Sequence, residues 1–464
     1  MSDARPDNRH AADESGEPGT ASLSTLDKIR AFRTALRESP GVARLALVRF
    51  TGQFGDGMFQ AALSGAILFN PERETDPLAI AAGFAVLLLP YSFIGPYAGA
   101  LLDRWDRRAV LLVANVLRAA LIAVVSVGLL AGIGETPLLL LALAVVGISR
   151  FVMAGVSAAL PRVLAQRWLV PTNSVLATIA SGCAGVGAAT SVAVIGLIGA
   201  GDTGSAVAVA ASAAGSVAGA LLATGFAARA LGPEAGATAR TGTVHAIATG
   251  LRTGARAVWE SAQVTTAMIG IGTHRIVFGM NTLIMVLVLR QAPSDGSGVD
   301  SGLIGFGVAI AATAGGMLVA AVVAPVLIPR LGRPRTVVVG LVTATVVQLV
   351  LVTPIAVAEA GAAAHRAHQL LLAGAFLFGL AGQTIKLTGD AAMQIDIDDT
   401  RRGQVFALQD TVFNVAFVLA IALTALVVPA NGRSLGVVAA GAAIYCAGVL
   451  AIALNTSRGR APAH

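Results

Sequence analysis

Hydrophobic residues run along the chain in blocks of about twenty, separated by short polar stretches that hold most of the charge. Blocks long enough to cross a bilayer, about twenty apolar residues each, fall near 44–69, 78–101, 109–132, 137–160, 174–199, 205–228, 264–289, 303–328, 336–358, 369–394, 404–428 and 434–455. Backbone in lipid must satisfy its own hydrogen bonds, and a helix does so within each segment. The pattern therefore predicts an all-α membrane protein with twelve transmembrane helices. A polar tail (1–41) precedes them and a short one (457–464) follows. The longest internal connection, 230–262, divides the rest into six helices (42–229) and six (263–456). In that connection Val244, Ile247, Leu251 and Val258 recur at helical spacing beside Arg252 and Arg256, which predicts an interfacial helix in the linker. A second short basic helix is expected at 26–36, around Lys28, Arg30 and Arg33.

Composition agrees: 56% hydrophobic and 12% charged residues lie far outside the range of soluble domains. The 53 glycines suit helices that approach closely through small side chains. A net charge of +7 does not point to nucleic acid here. Lysine and arginine concentrate in the two tails, the linker and the even-numbered loops, whereas the odd-numbered loops hold only Arg73, Arg290, Arg366 and Arg433. That bias predicts a multi-pass protein of the cell membrane with both termini and the linker in the cytoplasm.

No GxxxxGK[ST] segment is present, so ATP hydrolysis is disfavoured as an energy source. No nucleophile stands with a plausible base, and no enzyme activity or cofactor is expected. His365 and His368 share a helical face with only Glu359 nearby, too few ligands for a metal site. Cys183 and Cys446 lie inside apolar blocks and imply no disulfide framework.

Ionisable groups inside a bilayer cost at least a few kcal/mol unless paired or wetted, so the few present are candidate functional residues. Arg49, Gln53, Asp56 and Gln60 recur at i, i+4, i+7 and i+11 and form one polar stripe on the first span. Asp56 lies about 20 Å from the inner end of that span, near mid-bilayer. It reads either as one half of a structural ion pair or as a proton-coupling carboxylate. Arg118, Arg150 and Arg275 fall near mid-depth and, with Arg49, Gln53, Gln383 and Asn414, are candidates to line a substrate cavity. Asn281 is a further candidate lining residue. Lys386, Asp390 and Asp410 read as structural ion-pair residues, the first two at i, i+4. Mid-depth cations outnumber the single clear acid, which favours a carboxylate-bearing or zwitterionic substrate.

The stretch 95–108, GPYAGALLDRWDRR, makes a charged hairpin between the second and third spans. Its Gly99, Asp103, Arg104, Arg107 and Arg108 resemble the loop motif of the major facilitator superfamily, with Asp106 where that family usually has glycine. Arg330, Gly332 and Arg333 echo Arg104, Asp106 and Arg107 at one constant offset, and Pro329 stands at the position of Asp103. The halves thus read as parallel copies, two pseudo-symmetric six-helix bundles around a central cavity as in that superfamily. GQFGDGMFQAAL (52–63), LPRVLAQRWLVPTNSVLATIA (160–180) and DDTRRGQVFALQDTVFNVAF (398–417) are similar to its macrolide and siderophore exporters. The antiporter motif G-P-x-x-G is not matched: the fifth span has GCAGVGAAT (182–190), without the proline.

The resemblance implies a monomeric secondary transporter that exports a small amphipathic molecule in exchange for protons. It also implies that Asp103 latches the halves on the cytoplasmic side by docking at the start of the eleventh span, beside Arg401 and Arg402. An importer or uniporter of the same fold, or a non-transporting scaffold or sensor, is the alternative.

Overall fold

Each apolar block forms a helix whose length is set by where polar, glycine or proline residues end it. The computed structural model describes residues 39–68, 77–102, 105–199, 201–232, 243–290, 301–357 and 361–458, with isolated positions between 30 and 37. The basic helix expected at 26–36 and residues Asp103, Arg104 and Glu359 lie outside the described residues or largely so.

In chain order the helices are α1 (Pro40–Leu68), α2 (Pro77–Leu102), α3 (Arg107–Leu130), α4 (Glu135–Val163), α5 (Gln166–Ile198), α6 (Asp202–Thr224), α7 (Thr243–Glu260), α8 (Ala262–Arg290), α9 (Ser301–Leu331), α10 (residues 333–357), α11 (Gly361–Asp396), α12 (Asp399–Ala425) and α13 (Leu435–Arg458). Among the described residues there is no strand. Ten of these helices are long and apolar enough to cross a membrane. The twelve-span reading adds α1, whose polar stripe lowers its hydropathy, and α2. Helix α10 is interrupted by a π-helical turn, Gln348–Val352, which the apolar pattern did not foreshadow.

The two halves pack by one scheme. Helix α1 lies against α5 and α6, α3 against α6, and α2 against α4; correspondingly α8 lies against α12 and α13, α10 against α13, and α9 against α11. Glycine permits the closest crossings. A β-carbon on Gly57 of α1 would collide with the backbone oxygen of Ala184 on α5, and one on Gly187 with that of Phe54. Backbone-to-backbone approach of this kind lets helices pack tightly where lipid offers no hydrophobic drive for association.

Among the described residues the halves meet on the face opposite the chain ends. There α2 packs on α12 and α8, Phe84 and Phe417 meet edge to face at 6.0 Å, and Arg290 donates to the backbone oxygen of Leu68 at 2.9 Å. The apolar core follows the same division. Residues at that end of the first half, such as Phe59, Leu63, Ile122 and Val145, join one core with the second half. Residues at the tail end, such as Leu45, Leu111, Val152 and Phe226, form a core of their own. On the tail side α7 packs along α12, where Arg401 bridges Glu260 at 2.8 Å and Asp398 at 2.9 Å.

Candidate functional site

A layer of polar side chains separates the two apolar cores of the first half, and Asp56 is its centre. The helical period aligns Gln53 and Asp56 on the inner face of α1, and the close α1–α5 crossing holds that face in the bundle interior. Asp56 is 4% exposed and its carboxylate is met from three helices. Arg118 of α3 donates Nη2 to Oδ1 at 2.5 Å and Arg150 of α4 donates Nη2 to Oδ2 at 3.2 Å. Ser149 Oγ donates to the carboxylate, 2.5 Å from one oxygen and 2.6 Å from the other, and Gln53 Nε2 donates to Oδ2 at 3.1 Å. Two guanidinium groups thus share one carboxylate. Ser149 was not singled out in the sequence; a serine beside a mid-depth arginine was the available signal. Arg49 stands apart from the cluster and donates to Asn173 Oδ1 at 3.1 Å.

The second half holds a different centre. Arg275 of α8 has its Cζ 3.7 Å from the ring centroid of Phe413, 4.4 Å from Phe417 and 5.4 Å from Phe278, and its Nε donates to the backbone oxygen of Phe413 at 3.3 Å. Among the described residues no carboxylate pairs with it. Three phenyl faces provide cation–π attraction, about 0.5–1 kcal/mol each at exposed sites and about 2 or more where water is excluded. Two of the rings, Phe413 and Phe417, come from α12 and the third, Phe278, from α8 itself, and sequence reasoning passed over all three. His274 lies beside it, stacked on Phe278 and joined through Nδ1 to the Tyr445 hydroxyl at 3.2 Å. Gln383 and Lys386 line the same cleft.

Lys386 pairs with Asp390 at 2.9 Å, and Gln409 Nε2 donates to Asp390 Oδ1 at 2.9 Å. Asp410 is outside this pair: its carboxylate makes no hydrogen bond or ion pair among the described residues, and its backbone oxygen accepts from Asn414 Nδ2 at 3.0 Å. Asn414 is therefore occupied locally. Asn281 is likewise engaged, donating to Gln348 Oε1 at 2.6 Å at the start of the π-turn.

The charged hairpin is tied down by backbone contacts. Asp106 accepts from the Arg108 amide at 3.1 Å, capping α3, and from the Arg229 amide at 3.2 Å. Arg107 is buried and donates to the backbone oxygens of Leu102 (3.2 Å), Ala158 (3.1 Å) and Leu231 (3.3 Å). One guanidinium thereby joins the ends of α2, α4 and the turn after α6. Arg108 reaches Thr224 O at 3.4 Å, and Gly99 lies within α2.

No family model matches the chain. An uncharacterized MFS-type transporter of Mycobacterium bovis is 42% identical over 431 residues, covering 92% of this chain and 93% of that protein, and one of Mycobacterium tuberculosis matches with the same figures. Among solved structures, a mutant form of the nucleoside transporter NupG superposes with a TM-score of 0.64 at 13% identity, over 89% of this chain and 99% of that one. A POT family transporter in complex with 5-aminolevulinic acid superposes at 0.61 with 12% identity, over 90% of this chain and 95% of that one. At these identities the structural likeness concerns the fold alone.

Proposed function

The chain belongs to the major facilitator superfamily of transporters, and from that premise we propose that it exports a small amphipathic molecule in exchange for protons, by alternating access. The three stretches similar to macrolide and siderophore exporters support export. The positive charge of the tails, the linker and the even loops supports placement in the cell membrane with both termini in the cytoplasm. With that orientation, the contact between the halves on the far face supports a cytoplasm-facing arrangement, from which a substrate would be loaded.

The observation that carries the coupling reading is Asp56, a carboxylate that binds side chains of α1, α3 and α4 together. A proton delivered to it would cancel its attraction for Arg118 and Arg150 and loosen the contact among three helices at once. Cations released inside a bilayer must find another anion or water, so protonation would change the charge that the cavity presents to substrate. The test is accumulation of a labelled panel of amphipathic compounds in proteoliposomes with and without an imposed pH gradient. Gradient-driven transport that disappears in Asp56→Asn, with substrate exchange retained at equal protein content, is the expected result. Transport down its own concentration gradient only would support a uniporter, transport in the direction of the proton gradient an importer, and none at all a scaffold or sensor.

A further inference from the structure

Of the three mid-depth arginines, Arg118 and Arg150 are drawn onto Asp56, but Arg275 faces no acid among the described residues. Its Nε is occupied by the Phe413 carbonyl and its flat faces by phenyl rings, so the edge that carries Nη1 and Nη2 is the one left to bind something. Arg275 lines a cleft of about 30 Å³ together with Ile271, Phe278, Met317, Phe378 and Phe413. A cleft of that size admits only a small polar group, so the rings must part as a larger ligand enters. The neighbouring Lys386 is already neutralised by Asp390. Among the residues lining the cleft, Arg275 is therefore the cation with no carboxylate partner, and it offers a flat two-donor edge beside apolar aromatic walls.

We infer that the Arg275 cleft is the recognition site for the carboxylate of an amphipathic monoanion, the two terminal amines of Arg275 taking the carboxylate oxygens and the phenyl rings receiving the apolar part. A planar carboxylate matches the guanidinium fork with two parallel hydrogen bonds, which a single ammonium cannot offer. A phosphate or sulfate dianion would need a second free cation, and Lys386 is engaged. The position also links recognition to the conformational cycle. Phe417 of the cage is the ring on which Phe84 of the other half packs, and Phe278 lies 6.0 Å from Phe417. An anion that draws Arg275 off these rings alters the contact that closes the two halves. The biological meaning of this site rests on the transport reading, but binding can be measured without it.

The experiment uses the full chain purified in lipid nanodiscs, with 4-phenylbutyrate, the uncharged 4-phenylbutanamide and the cation 4-phenylbutylamine as probes, read by ligand-dependent thermal stabilisation and equilibrium dialysis. Saturable binding of the carboxylate, at least about tenfold tighter than of the amide or the amine, is expected. Arg275→Gln should remove that preference, whereas Arg256→Gln on the exposed linker helix should leave it unchanged. If Arg275→Gln does not fold, Arg275→Lys decides: it keeps the charge but loses the planar fork, so the carboxylate should bind about tenfold or more weakly. Equal binding of the three probes, no binding of the carboxylate, or an undiminished carboxylate preference in the Arg275 variants would overturn the inference. Transport of the same probes in proteoliposomes separates the two claims: selective binding with no transport overturns the transport reading alone, and transport of the amine or amide in preference to the carboxylate overturns the assignment of this site alone.

Discussion

Replacing Asp56 by asparagine removes the carboxylate charge that the Arg118 and Arg150 guanidinium groups share. The Arg118 side chain is 2% exposed, so it cannot turn to water. In soluble proteins, deleting one partner of a buried ion pair costs about 3–5 kcal/mol because the other charge is left uncompensated. In a bilayer the reference state also finds partners, and single interhelical hydrogen bonds average only about 0.6 kcal/mol. An unpaired arginine at mid-depth is penalised by about 2.5–3.5 kcal/mol on insertion scales. Since the asparagine oxygen can still accept from Ser149 or Arg118, the expected loss lies near the lower bound of the buried-pair range, about 3 kcal/mol. The assay is reversible unfolding in mixed micelles of Asp56→Asn, Arg118→Met and the double variant Asp56→Asn/Arg118→Met. The double variant should be more stable than the sum of the single losses predicts, by about 1–3 kcal/mol, the usual coupling of residues in contact. Stability of Asp56→Asn within about 0.5 kcal/mol of wild type, a change typical of an unremarkable surface site, would refute the reasoning, and so would strict additivity.

Reporter fusions at both termini and in the linker after Gly232 should report cytoplasm, and fusions near Asp202 and Asp295 the outside; one inverted result in the second half would break the six-plus-six topology. Gly57→Val should force α1 and α5 apart, because any β-carbon there meets the Ala184 backbone, and yield of monodisperse protein in size-exclusion chromatography should fall severalfold while Gly52→Val, at a position with open space, stays near wild type. Hydrogen bonds from Arg401 and then Arg256 hold the Glu260 carboxyl below its ordinary 4.5. A carboxyl lowered by folding stabilises above its unfolded value and loses that contribution as pH falls through its folded value. Hydrogen exchange in α7, corrected for intrinsic rates, should therefore be flat from about pH 7 to pH 5 and rise below 4.5, while Glu260→Gln should show the raised exchange already near pH 7. Identical exchange in variant and wild type would remove the Arg401 contact from any role in holding α7 on α12.

Span lengths and the polar stripe of α1 were legible in the chain for a local reason. The bilayer tests each segment of about twenty residues separately, and a period of 3.6 residues is enough to place Gln53 and Asp56 on one face. The echo of Arg104, Asp106 and Arg107 in Arg330, Gly332 and Arg333 carried the parallel halves in the same local way. Pairing is a different matter. Arg118 and Arg275 are the same residue type at similar depth, and no property of their neighbours in sequence separates them. One meets Asp56 across 62 positions of chain; the other meets the backbone of Phe413 across 138 and is walled by Phe413 and Phe417 of that helix and Phe278 of its own. Likewise Lys386 could have paired with Asp390 or Asp410, and took the one a single turn away on its own helix. Which charge is neutralised and which is left open depends on how close the helices cross and which faces they turn to one another. That is set where glycines such as Gly57 and Gly187 let backbones touch, so only the assembled bundle decides it.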